Sequence, residues 1–314
     1  MPTASACLIV NPAAGGGRGA ELEPAVLRAL AGHGIEARSV RTRSLEHARE
    51  LAREAAGGGE SVLVLGGDGL IGAIADELRS MPGTLLGIFP GGRGNDLARV
   101  LGIPDDPAGA AAVIAAGHSR EVDLGLVSDR EDPRGRAFVG IASVGFDSVA
   151  NRIANEAPSW LGALVYAYGA LRALATWRPT RFEVELDPPG ERRSFSAYTV
   201  GAANSKCYGG GMRAAPAALL DDGMLEVMVL ENVSKLTFLT RILPNVFSGK
   251  HVEQPSVSVF RARSVWIGCE RPFTMYADGD PIGELPVTVS TLQGAVRMLV
   301  PLVGPPDPAF GSEG

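Results

Sequence analysis

Three glycine-rich turns and a scatter of aspartates are the residues of this 314-residue chain whose types and spacing could do chemistry. The turns are Asn11-Pro12-Ala13-Ala14-Gly15-Gly16-Gly17-Arg18-Gly19, Gly66-Gly67-Asp68-Gly69 and Pro90-Gly91-Gly92-Arg93-Gly94-Asn95-Asp96. Glycine lets a backbone approach a ligand closely and aim N–H groups at it. A helix beginning just behind such a turn favours phosphate. The matching chemistry is binding of a phosphate or nucleotide, and carboxylates nearby could hold a metal or accept a proton. Asp68, Asp96 and Asp123 each fall at or just after the predicted end of a strand. Asp278 and Asp280 flank Gly279 after another. Each has a plainer reading as well: a strand–helix turn in a chain of 41 glycines, a helix cap for Asp68, Asp96 and Asp123, and a hairpin turn for the Asp-Gly pair.

The elements that must position these groups follow from the apolar pattern. Cys7–Val10, Ile35–Val40, Ser61–Leu65 and Leu85–Phe89 read as strands. Glu21–Ala31, Ser44–Ala55, Leu70–Arg79 and Ala108–Ala116 read as helices, with Ser44 able to cap the second and Asn95 or Asp96 able to cap another. Glu121–Leu124 reads as a returning strand. Strands alternating with helices predict a layered, parallel α/β sheet, in which ligands bind beyond the carboxyl ends of the strands. All three turns and the first three aspartates lie on that edge. A helix is predicted over Trp160–Trp177. After Pro179 the pattern changes to short strands: Phe182–Leu186, Ser196–Ala203, Leu225–Leu230, Ser256–Phe260, Ser264–Ile267, Phe273–Ala277, Val287–Ser290 and Ala295–Leu299. That texture predicts a sandwich or barrel. The expected division is residues 1–122, 123–303 and a flexible tail over 304–314.

Composition removes several alternatives. With 29 basic and 35 acidic residues the formal charge is −6, which argues against a nucleic-acid partner. Three scattered cysteines make neither a disulfide framework nor a CxxC metal site. The first 200 residues contain no lysine, and the chain has only Lys206, Lys235 and Lys250. A Walker A loop is therefore excluded from the predicted α/β domain. Gly15-x-Gly17-x-x-Ala20 fits a dinucleotide fingerprint only loosely. Nucleotide phosphates on this edge must be met by backbone amides, arginines and a metal.

In combination these motifs resemble the diacylglycerol kinase catalytic-domain family, the soluble bacterial lipid kinases that also include sphingosine kinases. The resemblance is carried by Asn11-Pro-Ala-Ala-Gly15, Gly66-Gly67-Asp68-Gly69, Gly94-Asn95-Asp96-x-Ala98-Arg99, Val144-Gly145-Phe146-Asp147, Tyr208-Gly-Gly-Gly-Met212, Pro216-Ala-Ala-Leu-Leu-Asp221-Asp222-Gly223-Met-Leu225 and Ala277-Asp278-Gly279-Asp280. It spans about residues 7–300. Gly-Gly-Asp-Gly alone is shared with NAD kinases and 6-phosphofructokinases. The resemblance implies an α/β ATP-binding domain of NAD kinase/phosphofructokinase type, a C-terminal β-sandwich domain and a cleft between them. It further implies transfer of the ATP γ-phosphate to a lipid hydroxyl, with diacylglycerol-like and sphingoid-like acceptors both open.

Carried over residue by residue, the resemblance implies nucleotide contacts at Asn11, Pro12, Ala13, Ala14, Gly15, Thr42, Gly66, Gly67, Asp68, Gly69, Leu70, Ile71, Gly72, Arg93 and Asn95. Thr42 reads equally as a turn or capping threonine. An Asp–water–Mg²⁺ network from Asp68, Asp96 and Asp123 is implied, and oxygen ligands suit that ion; Asp68 is thereby counted with the catalytic set. Asp278 and Asp280 are the general-base candidates, with Asp280 preferred by position although the family normally has glutamate there. Asp222, with the backbone carbonyls of Leu219 and Met224, is implied as a structural Mg²⁺ site, against the reading of a simple Asp-Asp-Gly turn. Leu70 and Arg93 replace two threonines usual in the family. Arg93 offers a charged fork to phosphate instead, or is a solvated surface arginine.

A lipid substrate requires an apolar wall and membrane contact. Trp160, Leu161, Leu164, Tyr168, Leu171 and Leu174 share a helical face that reads as core or as a wall for acyl chains. Phe238, Leu239, Ile242, Leu243, Val246 and Phe247, with Arg241, Lys250 and His251 nearby, form a second candidate edge for anionic lipid, or an ordinary amphipathic segment. No basic-then-apolar leader opens the chain, so a cytoplasmic protein touching the inner membrane face is expected. A homodimer stays open. Two other functions compete with the lipid kinase: a kinase of a soluble acceptor such as NAD, and a non-catalytic nucleotide- or lipid-binding relative.

Overall fold

The computed structural model describes residues 5–157 and 164–311, and the chain divides into two compact units. The first holds the residues up to Leu124, Leu220–Asp222 and the residues from Gln293 onward; the second holds Gly125–Leu219 and Gly223–Leu292.

The first unit is α/β. Strands β1 (Ala6–Val10), β2 (Ala37–Arg41), β3 (Ser61–Gly66) and β4 (Leu85–Pro90) pair in parallel in the order β2-β1-β3-β4. β1 and β3 are buried along their whole length, as continuous apolar runs covered on both faces must be. Leu63 and Leu65 are fully buried, and truncating either to alanine would cost about 2–5 kcal/mol. Helices α1 (Arg18–Gly32), α2 (Leu45–Gly57) and α3 (Asp68–Leu78) follow β1, β2 and β3, and α4 (Asp96–Leu101) and α5 (Pro107–Ala116) both follow β4. α2 starts where expected, because the Ser44 hydroxyl accepts the His47 amide at 3.1 Å. It buries Ala48, Leu51, Ala52 and Ala55 as one stripe. Asp106 caps α5 in the same way, accepting the Gly109 amide at 2.8 Å.

The second unit is β-rich and antiparallel. β5 (Ser119–Ser128) enters it and pairs with β6 (Arg136–Phe138). It continues through β7 (Ile141–Gly145), α6 (Phe146–Glu156), α7 (Leu164–Thr176), β8 (Thr180–Leu186), β9 (Arg192–Ala203), β10 (Leu225–Glu231), β11 (Val257–Ala262), β12 (Ser264–Cys269), β13 (Thr274–Ala277), β14 (Asp280–Glu284) and the start of β15 (Val287–Leu299). β9 is long enough to serve three partners: its first half pairs with β8, its second half with β7 and β10. Val144, Val184, Val200, Val227, Val229, Val265 and Ile267 from these strands fill one apolar core. A second cluster gathers Phe146, Trp177, Tyr198 and Phe238, with Phe146 and Phe238 ring centroids 5.0 Å apart.

The structure departs from the expected division in its C-terminal part. Val287–Ser290 and Ala295–Leu299 are one strand, β15, with Gly294 in the left-handed region at φ 59° inside it. Its last residues leave the second unit and pair in parallel with β4 through Arg297 and Met298. Residues 293–303 therefore belong to the first unit rather than to the domain expected over 123–303, and so do residues 220–222. The segment expected to be a flexible tail is held as far as residue 311. Ala309 is buried and its carbonyl accepts the Leu220 amide at 2.9 Å. The Gly311 amide donates to Asp221 at 2.7 Å, and the Arg120 guanidinium lies 4.7 Å from the Phe310 ring centre. α6 was not expected from the sequence, nor were β6, β7 and β14.

Candidate functional site

In the first unit the three glycine turns leave the carboxyl ends of β1, β3 and β4 and pack on one another. A β-carbon at Gly15 would stand 2.7 Å from the Gly91 carbonyl oxygen, and one at Gly92 would stand 2.5 Å from the Gly67 Cα. The glycines thus first permit mutual contact of the turns. Gly15, Gly16 and Gly17 have φ of 60°, 78° and 109°, a run that L side chains resist. Asn11 braces this turn, its Oδ1 accepting the Ala13 amide at 3.0 Å and its own amide donating to Leu65 at 3.0 Å. Ala14 is buried, while Pro12 is half-buried and Ala13 exposed. Thr42 follows β2 beside this turn, its amide donating to the Val10 carbonyl at 2.7 Å.

Neither α1 nor α3 has a side-chain cap. Their N-terminal amides carry the partial positive charge that favours an anion. Leu70 and Ile71 are buried, and Leu70 packs where Gly66 lacks a side chain. These two positions, with Gly69 and Gly72, can offer a ligand backbone only. Arg93 is exposed at the tip of the third turn. Asn95, in the left-handed region at φ 52°, fixes that turn by accepting the Gly92 amide at 2.8 Å on its Oδ1.

The expected caps are exchanged. Neither Asn95 nor Asp96 caps α4 with its side chain; Asp68 does so from the second turn. Its Oδ2 accepts the Asp96 amide at 3.1 Å and its Oδ1 accepts the Leu97 amide at 3.0 Å. Asp96 is buried and pairs with Arg99 at 2.8 Å. Asp123, 1 % exposed, donates its amide to Leu220 and accepts the Gly294 amide on Oδ1, both at 2.7 Å. These three carboxylates are engaged with backbone amides or an arginine. Among the described residues no group of three or more His, Cys, Asp or Glu side chains is placed to hold a metal ion. Each member of the set expected from the sequence to bind Mg²⁺ through water thus also bonds the backbone or an arginine. Leu219, Asp222 and Met224 lie in one half-buried bend before β10. Its neighbour Asp221 pairs with Arg120 at 2.9 Å.

In the second unit Asp278 and Gly279 form the two-residue loop between β13 and β14, with Ala277 paired to Asp280. Their φ of 52° and 94° match the turn that suits a tight hairpin and favours Asp-Gly. The Asp-Gly pair thus makes a hairpin turn, and the two aspartates flanking Gly279 differ in their surroundings. Asp278 accepts the Val139 amide on Oδ2 at 2.8 Å and the Gly140 amide on Oδ1 at 2.9 Å. It ties the hairpin to the segment before β7. Asp280 begins β14, half-buried. Burial raises its carboxyl above the ordinary carboxylate range, and the charge of Arg136 partly opposes the shift. A base held at a raised pKa accepts a proton more readily once ionised. Gly140 carries no local sequence signal as Asp278's partner, because 138 residues separate them.

Other quoted motifs also find places. Tyr208 and Met212 close the triple-glycine loop with reciprocal backbone bonds of 3.0 Å. The Tyr208 hydroxyl donates to Asp147 at 3.0 Å. Burial pushes the Asp147 carboxyl up, and that bond works against the shift. Trp160 and Leu161 lie outside the described residues, as does the side chain of Leu164. Of the remaining stripe, Leu174 is core and Leu171 is 56 % exposed. Phe238, Ile242 and Val246 are core too, whereas Leu239 and Phe247 face outward. His251 does not join the basic edge: it is buried, and burial lowers its pKa so that it stays neutral.

The sequence matches two family models, the diacylglycerol kinase catalytic domain over residues 5–127 and the YegS C-terminal NAD kinase beta sandwich-like domain over residues 140–300. It is 33 % identical over 301 residues to a protein named diacylglycerol kinase from Mycobacterium tuberculosis (strain ATCC 25618 / H37Rv), covering 94 % of this chain and 95 % of that one. It is 28 % identical over 255 residues to the probable lipid kinase YegS of Salmonella typhimurium, covering 78 % of this chain and 79 % of the relative. A crystal structure of a diacylglycerol kinase from Bacillus anthracis str. Sterne superposes with a TM-score of 0.71 at 22 % identity, over 95 % of this chain and 97 % of that one. That last similarity is one of fold.

Proposed function

Because this chain belongs to the diacylglycerol kinase family of lipid kinases, we propose that it transfers the γ-phosphate of ATP to the hydroxyl of a membrane-derived lipid, with Asp280 accepting the hydroxyl proton. The observation that carries this reading is the cluster of three packed glycine turns at the carboxyl ends of β1, β3 and β4. Two uncapped helix starts follow it. Backbone amides of Gly15 and of Gly67, Asp68 and Gly69 would meet the phosphates, with Arg93 supplying a mobile positive charge and Thr42 standing on the nucleoside side. Asn95 and Asp68 act beneath these contacts, holding the third turn and α4 in place. A divalent cation enters this reading only as counter-ion to the donor's phosphates. Mg²⁺ takes one or two carboxylates plus substrate phosphates and needs no preformed cage.

Asp280 suits the base because its partner in the hairpin, Asp278, already has both oxygens on backbone amides. The lipid O–H bond breaks as its oxygen bonds to the γ-phosphorus, the proton passes to Asp280, and ADP leaves with the electrons of the broken P–O bond. Asp222 with the Leu219 and Met224 carbonyls is proposed as a stabilising cation bend, outside this chemistry. The test is incubation with γ-labelled ATP, Mg²⁺ and, in separate arms, diacylglycerol, a sphingoid base, NAD and no acceptor. Label in a lipid product is the expected result. Label on NAD alone, or nucleotide binding without transfer to any acceptor, would overturn the reading.

A further inference from the structure

The helical run over 235–246 is apolar on two opposite sides. It is built from an α turn at Lys235–Thr237, π turns at Phe238–Ile242 and an α turn at Leu243–Val246. Phe238, Ile242 and Val246 are buried, at 5 %, 4 % and 8 % exposure, and Phe238 and Ile242 fasten the run to the aromatic cluster around Phe146 and Tyr198. That inner row accounts for the fold. It does not account for Leu236, Leu239 and Phe247, which stand 71 %, 38 % and 56 % exposed. Large apolar side chains left grouped outside a core mark an interaction surface. Leu171, also exposed, lies one turn before Ala175, whose carbonyl accepts the Lys235 ammonium at 2.7 Å.

The charge around this outer row is one-sided as well. From Asn232 to Val252 the chain carries Lys235, Arg241 and Lys250 and no carboxylate, in a protein with 35 acidic residues and a formal charge of −6. Two of its three lysines are in this stretch. Lys235, Arg241 and Lys250 are all exposed. Outward Leu and Phe beside these cations, with Glu231 and Glu253 only at the ends of the stretch, complement the headgroup region of an anionic bilayer, where apolar side chains enter the acyl boundary and Lys or Arg meet negative lipids.

We propose that the outward face of residues 235–250, with Leu236, Leu239 and Phe247 as apolar anchors and Arg241 and Lys250 as their cationic rim, docks this protein on an anionic membrane surface. The proposal rests on the lipid-kinase reading for its purpose, but its test does not need catalysis. The full chain is sedimented with vesicles of phosphatidylcholine mixed with phosphatidylglycerol, with vesicles of phosphatidylcholine alone, and at low and high salt. Wild type is expected on the anionic vesicles, with binding weakened by salt. A Leu236→Ser, Leu239→Ser, Phe247→Ser variant and an Arg241→Glu, Lys250→Glu variant are each expected to bind roughly tenfold more weakly or worse. Both should melt at the wild-type temperature, because the altered side chains are exposed.

Absence of wild-type binding, or unchanged binding in both variants, would overturn the proposal. So would a finding that the serine variant only converts a dimer to a monomer, since the face would then hold a second copy of the chain. If the variants lose vesicles while wild type phosphorylates no lipid, the surface stands and the lipid-kinase reading falls. If wild type phosphorylates lipid and the variants bind vesicles normally, the reverse holds.

Discussion

Asp278 Oδ1 accepts the Gly140 amide at 2.9 Å, and a β-carbon on Gly140 would stand 2.5 Å from that same oxygen. The hairpin that presents Asp280 therefore fits against its neighbour only because position 140 is bare. Replacing Gly140 by alanine should displace the hairpin. Asp278→Ala should leave the Val139 and Gly140 amides unpaired, a loss of about 1–3 kcal/mol. Both variants are expected to melt earlier than wild type and to lose activity with it, and thermal unfolding followed by circular dichroism checks this.

Asp280 should behave in the opposite way. Its carboxyl is raised in the folded state by burial, so the native protein holds this proton to higher pH than the unfolded chain does. Stability contributed at this position is present at low pH and falls as pH rises from the ordinary carboxylate value through the raised one. Asp280→Asn should remove that slope and leave the protein at least as stable as wild type near neutrality. Denaturant unfolding across that pH range is the measurement. In activity, the acidic limb of the wild-type rate profile should lie above the ordinary carboxylate range, because the base must be ionised to work.

The contact between the second and third turns in one unit makes a separate prediction. Gly92→Ala would put a β-carbon 2.5 Å from the Gly67 Cα and 2.9 Å from Asn95 Oδ1. Nucleotide affinity is expected to drop by an order of magnitude or more while the melting temperature changes only by a few degrees, as read by calorimetric titration with ATP. Arg93→Ala, at an exposed tip, should raise the apparent KM for ATP with little change in stability.

Removing residues 304–314 tests the end of the chain. The deletion takes away the Ala309 carbonyl, the Gly311 amide and the Phe310 ring that meet Leu220, Asp221 and Arg120. The truncated protein is expected to melt several degrees lower, consistent with a loss of about 1–3 kcal/mol. An unchanged melting temperature would show these contacts to be incidental.

Much of the first unit was legible, because parallel strands buried on both faces read as unbroken apolar runs and their helices carry local caps such as Ser44. β1, β3 and β4 fall within a residue or two of their expected positions. What was not legible depended on partners distant in sequence. Asp68 caps a helix 28 residues on, and Asp123 holds the Gly294 amide 171 residues away. Both aspartates sit where a metal-binding reading is natural, and only the fold shows their backbone bonds. β14 was hidden by Pro281, which tells against a strand but is tolerated here in an edge strand beside a register shift. α6 follows β7 without a gap, its start closed by Ser148, whose Oγ donates to the Gly145 carbonyl at 2.9 Å. That leaves no linker for a sequence reading to find.

Lipid phosphorylation is proposed to run through Asp280, while Asp278 serves the fold. It is tested most directly by single-turnover transfer from γ-labelled ATP to lipid, comparing wild type with Asp280→Asn at equal nucleotide occupancy. Wild type is expected to label the lipid, and Asp280→Asn to do so roughly 10²–10⁴-fold more slowly with unchanged ATP affinity and melting temperature. Equal rates for the two proteins would contradict the account.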